Sequence, residues 1–536
     1  MAGTQVPPFA GIIRIRFNGS PPKACGGLSA AFHLKRWLPD VRNLGRTGDG
    51  VKSHPGAVNS TVMDRVPIRT LTPAFQNVIK NPVMDVLMLS RIQFGATISF
   101  HYIYPPLSIG LAVLLVIMEA AWLKTNNPVY HQMARFWTKI FALTFAIGVA
   151  TGIVMEFEFG TNWATYSRYV GDVFGSALAA EGIFAFFLES GFLAVLMFGW
   201  DKVSRKMHFF STCMVCLGAY FSAVWIVVAN SWMQTPAGYH IVGQGMHARA
   251  EITDFWQVVF NPSSMDRLFH TLCGAWQAGA FLVISVGAWY VLKNKFTGFA
   301  RASLRIGLIV GLVASLLQLG SGDSSARSVA KNQPAKLAAF EGLYRTTSNA
   351  PLTLAGYVDE KDEKVIGLQW PGLLSWLVAH NTHATVTGLD TFPPKDRPPV
   401  EASFLFFHGM VAIGFALIAI AALGCFYLWR DVLFQKRWML WILVFSVLGP
   451  QIGNQLGWFA AEVGRQPWIV YGLLRTPEGL SAVVKADAVL TSLVLFTVIY
   501  FLLFTVFIYL LNDKIQHGPD DTDLTPAGKL ALPTKN

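Results

Sequence analysis

Residues 488–511, AVLTSLVLFTVIYFLLFTVFIYLL, run for 24 positions without one charged side chain. As a helix this stretch reaches roughly 36 Å, more than the ~30 Å hydrocarbon layer of a bilayer requires. No water is present there to satisfy peptide groups, so the backbone has to bond within itself. Working back along the chain, eight more stretches read the same way: about 97–120, 137–157, 177–199, 211–231, 268–291, 302–320, 403–424 and 438–459. The composition agrees, with 53% hydrophobic and 14% charged residues, far from the balance of a soluble domain. The expected fold is an all-α membrane protein, a bundle of about nine transmembrane helices.

The formal charge of +11 raises the question of a nucleic-acid partner, and its placement answers it. Eleven Lys and Arg against three Asp precede Met84, and the bundle is only mildly basic. No nucleic-acid partner is expected. Residues 1–83 hold no secretory signal, because FAGII is too short an apolar core. They read either as a basic, disordered extension or as a stretch upstream of the natural start at Met84.

Basic residues recur in alternate connections: Lys124, Arg135 and Lys139; Lys202, Arg205 and Lys206; Lys293, Lys295, Arg301 and Arg305; Arg430, Lys436 and Arg437. By the positive-inside rule these face the cytoplasm. The first span then begins outside, helices 1–6 occupy 84–320, and 321–402 forms a large outer, periplasmic loop. Helices 7–9 fill 403–511, and 512–536 is a cytoplasmic tail.

Ionisable side chains in spans are costly and need a partner or a task. His101, His270 and His408, with Glu181, Glu189 and Glu462, are such groups, and Met410 lies two residues past His408. A His and a Met on facing helices offer a neutral nitrogen and a soft thioether, the axial pair of a low-spin heme; His270 and Met410 fit that description. His408 and Met410 lie about 200° apart on a helix and cannot both address one iron. Glu181 and Glu189 are separated by about 80° and ~12 Å on an α-helix and could form steps of a proton path. Glu462 and Arg465 stand one turn apart, either as a salt bridge or with the guanidinium near heme propionates. Cys213 and Cys216 form a CxxC within an apolar run, with no second ligand pair nearby to make a zinc or redox site of it.

Several motifs together resemble one family, subunit I of the cytochrome bd quinol oxidases. They are LSRIQFGATISFHY (89–102), GVATGIVMEFEFGTNWATYSRYVGDVFG (148–175), LAAEGIFAFFLES (178–190), VANSWMQTPAGY (228–239), FHTLCGAWQAGAF (269–281), KLAAFEGLY (336–344) and GWFAAEVGRQPW (457–468). The resemblance implies that His101 and Glu462 serve two high-spin hemes and that His270 and Met410 hold the low-spin b heme. It implies Glu181 at the oxygen-reducing heme, Glu189 on the proton route, Arg465 near the hemes, and Lys336 and Glu341 binding quinol or taking its protons. The implied cofactors are two b-type hemes and heme d, or a b heme in its place. The implied partners are quinol, O2, the lipid bilayer, a second multi-span subunit (subunit II) in a heterodimer, and a small single-span subunit. The implied location is the inner membrane.

Two departures stand out. The family usually carries Arg where this chain has His408, and the outer loop lacks the long insertion of some members, which places the chain in the short-loop, cyanide-insensitive branch. Two other classes compete with the enzyme. A transporter of like span count would be marked by an inverted repeat, which the sequence lacks. An inert heme-binding subunit would need His270 and Met410 but not Lys336, Glu341 or Glu189.

Overall fold

The protein is described from a computed structural model covering residues 85–520. The segment 1–83, the start at Met84 and the tail beyond 520 lie outside the described residues. Among those residues nine helical segments are long and apolar enough to cross a membrane.

The first span is made of α1 (Val86–His101) and α2 (Tyr104–Thr125). The hand-over falls just before Pro105 and Pro106, where ring nitrogens cannot continue the hydrogen-bond ladder but suit a helix's first turn. There follow α3 (Pro128–Gly160), the short α4 (Ala164–Tyr169), α5 (Gly171–Ala180), a π-helical turn (Glu181–Phe186) and α6 (Phe187–Phe198). Next come α7 (Arg205–Gln234), the hairpin β1 (Tyr239–Val242) and β2 (Arg249–Ile252), α8 (Phe255–Val259), α9 (Ser264–Leu292) and α10 (Thr297–Asn332). Beyond α10 lie α11 (Pro334–Glu341), β3 (Thr347–Ser348), the hairpin β4 (Leu352–Asp359) and β5 (Lys364–Trp370), α12 (Leu373–Ala379) and β6 (Thr385–Val386). The chain returns through α13 (Val400–Trp429), α14 (Arg437–Phe445) and α15 (Leu448–Val463), the strands β7 (Trp468–Val470) and β8 (Leu474–Arg475), and α16 (Ala486–His517).

Helix α10 continues to Asn332, well past the boundary at 321 read from hydropathy. Its last three turns, SGDSSARSVAKN, are polar but helix-compatible, and Asp323 pairs with Arg327 one turn on. A loss of hydropathy marks where a helix leaves the apolar layer, and the helix itself can go on. The segment 333–399 therefore follows a helix that outlasts the apolar layer, and it has structure of its own.

At the centre is α9, whose apolar stretch is the most enclosed of the nine spans. It meets α2 at small residues. A Cβ on Gly110 would fall on the Ala275 carbonyl and 2.7 Å from the Gly279 nitrogen, so the backbones touch, as small residues permit between membrane helices. Gly110→Val is expected to destabilise the protein by more than ~3 kcal/mol, because neither backbone can yield to the added methyls. Thermal unfolding in detergent would register the loss; an unchanged midpoint would contradict it. Around this crossing a core of Leu111, Leu114, Leu115, Met118, Trp137 and Phe141 fills the end of the bundle that carries the basic connections. At the opposite end, called here the loop face, Trp163, Tyr166, Tyr169, Trp232 and Val470 form a second cluster.

Candidate functional site

The candidate site lies at the loop face, where α7, α9, α11 and α15 end or begin. Glu462, in the last turn of α15, accepts hydrogen bonds from Asn230 (3.1 Å) and Gln234 (3.4 Å) of α7 and is ion-paired with Arg465. Arg267, in the first turn of α9, donates to Asn230 Oδ1 (2.5 Å) and to Ser231 Oγ (3.2 Å). Lys336 of α11 donates from Nζ to Gln234 Oε1 (2.5 Å). Six side chains from four helices and the Arg465 that follows α15 thus form one network, with three basic groups gathered on one carboxylate.

Such a cluster is electrostatically unbalanced. Burial, reinforced by Arg267 and then Arg465, holds the Lys336 amine well below the usual lysine range. The guanidiniums have no such escape, since Arg does not give up its proton in proteins. Arg465 is 3% exposed; its Nε reaches the Trp468 carbonyl (3.3 Å) and Nη2 binds Glu462, while Nη1 is buried without a partner. A buried donor left unmet is costly, and a further anion placed there would meet it.

The histidines are prepared in a common way. Thr151 spends its own proton on the carbonyls of Ile147 (2.9 Å) and Gly148 (3.0 Å), so its oxygen accepts from His101 Nδ1 at 3.0 Å. Ser321 likewise donates to Gln318 O (3.1 Å) and accepts from His270 Nδ1 at 2.9 Å. In both rings these partners assign the proton to Nδ1 and leave Nε2 with its lone pair, the arrangement of metal-ligating histidines. In this structure the His270 lone pair is met by the Gln318 amide at 2.9 Å.

Met410 and His270 come to one level of the bundle through α9 and α15, which run antiparallel. The two helices touch where Asn454 donates to the Gly274 carbonyl (3.3 Å). His270 lies four residues towards the loop face from Gly274, and Gly457 three residues the same way from Asn454, rises of roughly 6 and 4.5 Å. The Met410 sulfur sits 2.8 Å from where a Gly457 Cβ would stand. His408 turns elsewhere, with Nε2 on the Thr353 carbonyl (3.0 Å) and Nδ1 on the Phe404 carbonyl (3.1 Å).

Glu181 opens the π-helical turn and accepts a hydrogen bond from Ser222 of α7. Glu189 is buried against Gly218, one turn away on the same helix. The expected 80° separation assumed unbroken α-helix. A π-turn winds through fewer degrees per residue, which narrows the angle and lets Glu181 and Glu189 both meet α7.

Lys336 and Glu341 part company. Five residues on a helix turn through about 140°, so Lys336 joins the charge network while Glu341 faces β4, where the Thr353 N–H favours its charged form. One Glu341 oxygen is buried and unpartnered. Burial pushes this carboxyl up to about 8.

Arg267, Asn230 and Gln234 were not singled out by sequence. Arg267 carried a signal, a cation in the first turn of an apolar span; the two amides carried none beyond their motif. A second buried group also went unremarked: Glu119 of α2 accepts from Thr212 (2.9 Å) and pairs with His208 (3.1 Å) near the opposite face.

Comparison with known proteins accords with this arrangement. Residues 89–519 match the family model described as cytochrome bd terminal oxidase subunit I. The chain is 38% identical over 449 residues to a cytochrome bd ubiquinol oxidase subunit 1 of Bacillus subtilis, covering 82% of this chain and 95% of that one. It is 34% identical over 502 residues to a cytochrome bd-II ubiquinol oxidase subunit 1 of Escherichia coli, covering 81% and 97%. The solved bd oxidase of Geobacillus thermodenitrificans superposes with a TM-score of 0.75 at 32% identity, over 81% of this chain and 99% of that one. The chain with this network at its loop face belongs to the cytochrome bd terminal oxidase subunit I family.

Proposed function

We propose that this subunit oxidises quinol at the 333–399 segment and passes the electrons through hemes to O2, which is reduced to water. The observation that carries the proposal is the network in which Lys336 of that segment meets Glu462 and Arg465 at the span ends through Gln234. It joins a helix of the loop directly to the groups suited to hold a cofactor. Relatives are named ubiquinol and menaquinol oxidases, so the substrate class is quinol with its ring type left open.

The residues fit heme. The buried, unpartnered Arg465 Nη1 and the excess of cations suit propionates, and the free Nε2 lone pairs of His101 and His270 suit iron. His270 and Met410 would hold a low-spin b heme, and His101 and Glu462 two high-spin hemes, one b-type and the other d-type or b-type. Bound heme supplies one-electron carriers between a two-electron donor and a four-electron acceptor. Glu189 and Glu181, which meet α7 one turn apart at Gly218 and Ser222, would hand protons inward. Positive-inside placement puts the loop face outside and the end of α16 in the cytoplasm. Quinol protons then leave outside while oxygen reduction draws protons from the cytoplasm, separating charge without a pump. The protein would sit in the inner membrane with subunit II as partner and a small single-span subunit beside them.

A reduced-minus-oxidised spectrum of the purified complex, followed by oxygen uptake on adding quinol, tests this reading. Absence of heme bands would sink it, and heme bands without quinol-driven uptake would leave an inert heme subunit. A missing red-shifted chlorin band would specify b hemes throughout.

Glu341 supplies a pH test. A group that takes a quinol proton must be ionised, and burial pushes the Glu341 carboxyl up to about 8. The kcat/KM for quinol is therefore expected to rise with pH through about 8, and Glu341→Gln should flatten that limb. A profile unchanged in the variant would remove Glu341 from proton transfer.

A further inference from the structure

We propose that His408 is a positioning residue for Glu341, acting through the backbone of Thr353. The inference rests on the reading of Glu341 as part of the quinol site.

Thr353 stands where the β4–β5 ladder slips: it pairs with Gln369, whereas the next registered pair is Ala355 with Leu368, leaving Leu354 as an extra residue. Such a bulge bends a strand and disturbs its ladder, and here the peptide groups beside it serve another purpose. The Thr353 N–H acts on the Glu341 carboxyl, favouring its charged form, and the Thr353 carbonyl lies 3.0 Å from His408 Nε2. One residue, 3% exposed, thus links a span side chain to the loop carboxyl.

His408 is itself held firmly. Its ring stacks on Phe404 with centroids 3.9 Å apart and meets Phe407 edge-on at 5.5 Å. Phe407 in turn stacks on Phe340, the residue before Glu341, at 4.6 Å and 6°. Both hydrogen-bond partners of His408 are carbonyl oxygens, so the ring holds Thr353 only with a proton on Nε2. With that bond the bulge is fixed from below, and the donor presented to Glu341 stays in place. The remaining Glu341 oxygen is then free for a ligand. Without the bond the Thr353 carbonyl loses its anchor to the span, and β4 is held here by its pairing with β5 and by Gln369, which reaches the Thr353 hydroxyl at 3.3 Å. An alternative is that His408 acts on Met410, two residues along α13, and so on the low-spin heme.

The test uses the intact complex with His408→Phe, which keeps the ring but loses the donor, and His408→Gln, whose amide can still reach the Thr353 carbonyl. Each is made with Glu341 and with Glu341→Gln. His408→Phe is expected to lower kcat/KM for quinol roughly three- to tenfold, the range of one lost hydrogen bond, and His408→Gln to restore most of it. In the Glu341→Gln background the same change should cost less than about twofold, since residues acting through one another are not additive. The low-spin heme band should not move. Independently of turnover, the infrared carboxyl band that disappears in Glu341→Gln should shift in His408→Phe and not in His408→Gln. An undiminished loss in the Glu341→Gln background, equal effects of Phe and Gln, or an unshifted band would each overturn the proposal. A shifted band beside normal quinol oxidation by Glu341→Gln would uphold the link and defeat the quinol role of Glu341 instead.

Discussion

Arg465→Met is expected to lose most of the bound heme and at least about a hundredfold of quinol oxidation, because breaking a buried ion pair costs 3–5 kcal/mol and each 1.4 kcal/mol is tenfold. Arg465 is buried at 3% exposure and serves two directions, Glu462 through Nη2 and the Trp468 carbonyl through Nε, with Nη1 still available. Methionine fills the space and does none of this. Glu462 would be left with neutral amide donors from Asn230 and Gln234 and the more distant charge of Arg267. Arg465→Lys should fall between, since a point charge can hold Glu462 but lacks the planar fork needed for a second anion. A misfolded protein could imitate the loss, and a second variant separates the two. In Arg465→Met with Glu462→Gln the stranded carboxylate is gone and Arg267, still bonded to Asn230 and Ser231, is the charge left without an anion, so the thermal midpoint should recover only in part while heme content and turnover stay low. Heme-to-protein ratio and oxygen uptake read the outcome. A methionine variant with the parent's heme content would contradict the role given to Nη1.

The spans were legible because transfer free energy is additive along a helix and charged residues mark its limits, so even the weakest of the nine appears in the sequence. What hydropathy could not convey was continuation and local winding. The polar end of α10 continues to Asn332 as a helix, and the π-turn at Glu181–Phe186 leaves no compositional mark in an apolar run. Site residues divide along similar lines. His101, His270, Glu181 and Glu462 were legible because ionisable groups in an apolar layer demand explanation. Asn230 and Gln234 were not, since a neutral amide near a helix end reads as the edge of a span, yet together they bind Glu462, Arg267 and Lys336. Spacing also left the direction of the loop residues undetermined. KLAAFEGLY puts Lys336 and Glu341 in one motif, and only the helix connecting them turns one to the spans and the other to β4.

His270→Ala is expected to remove the low-spin heme band while the high-spin features persist, and quinol-driven oxygen uptake should fall roughly a hundredfold or more, since loss of a metal ligand exceeds the 10–100-fold typical of its supporting partners. The imidazole is held at Nδ1 by Ser321, whose own proton is committed to Gln318 O, and this leaves Nε2 as the only ring nitrogen with a lone pair. Alanine leaves the Ser321 oxygen without that donor and the Gln318 amide without its acceptor, a modest penalty at the rim of α9 and α10 that should not unfold the bundle. Ser321→Ala offers a graded version. It removes only the Nδ1 partner, so the heme should remain with a shifted potential and weaker retention on dilution. Met410→Leu should spare the imidazole and loosen the opposite side, since the thioether is the softer ligand and lies over Gly457. If the pair is correct, both His270→Ala and Met410→Leu alter the same absorption band and neither alters the band affected by His101→Ala. Loss of different bands in His270→Ala and Met410→Leu would separate the two residues and assign Met410 to packing.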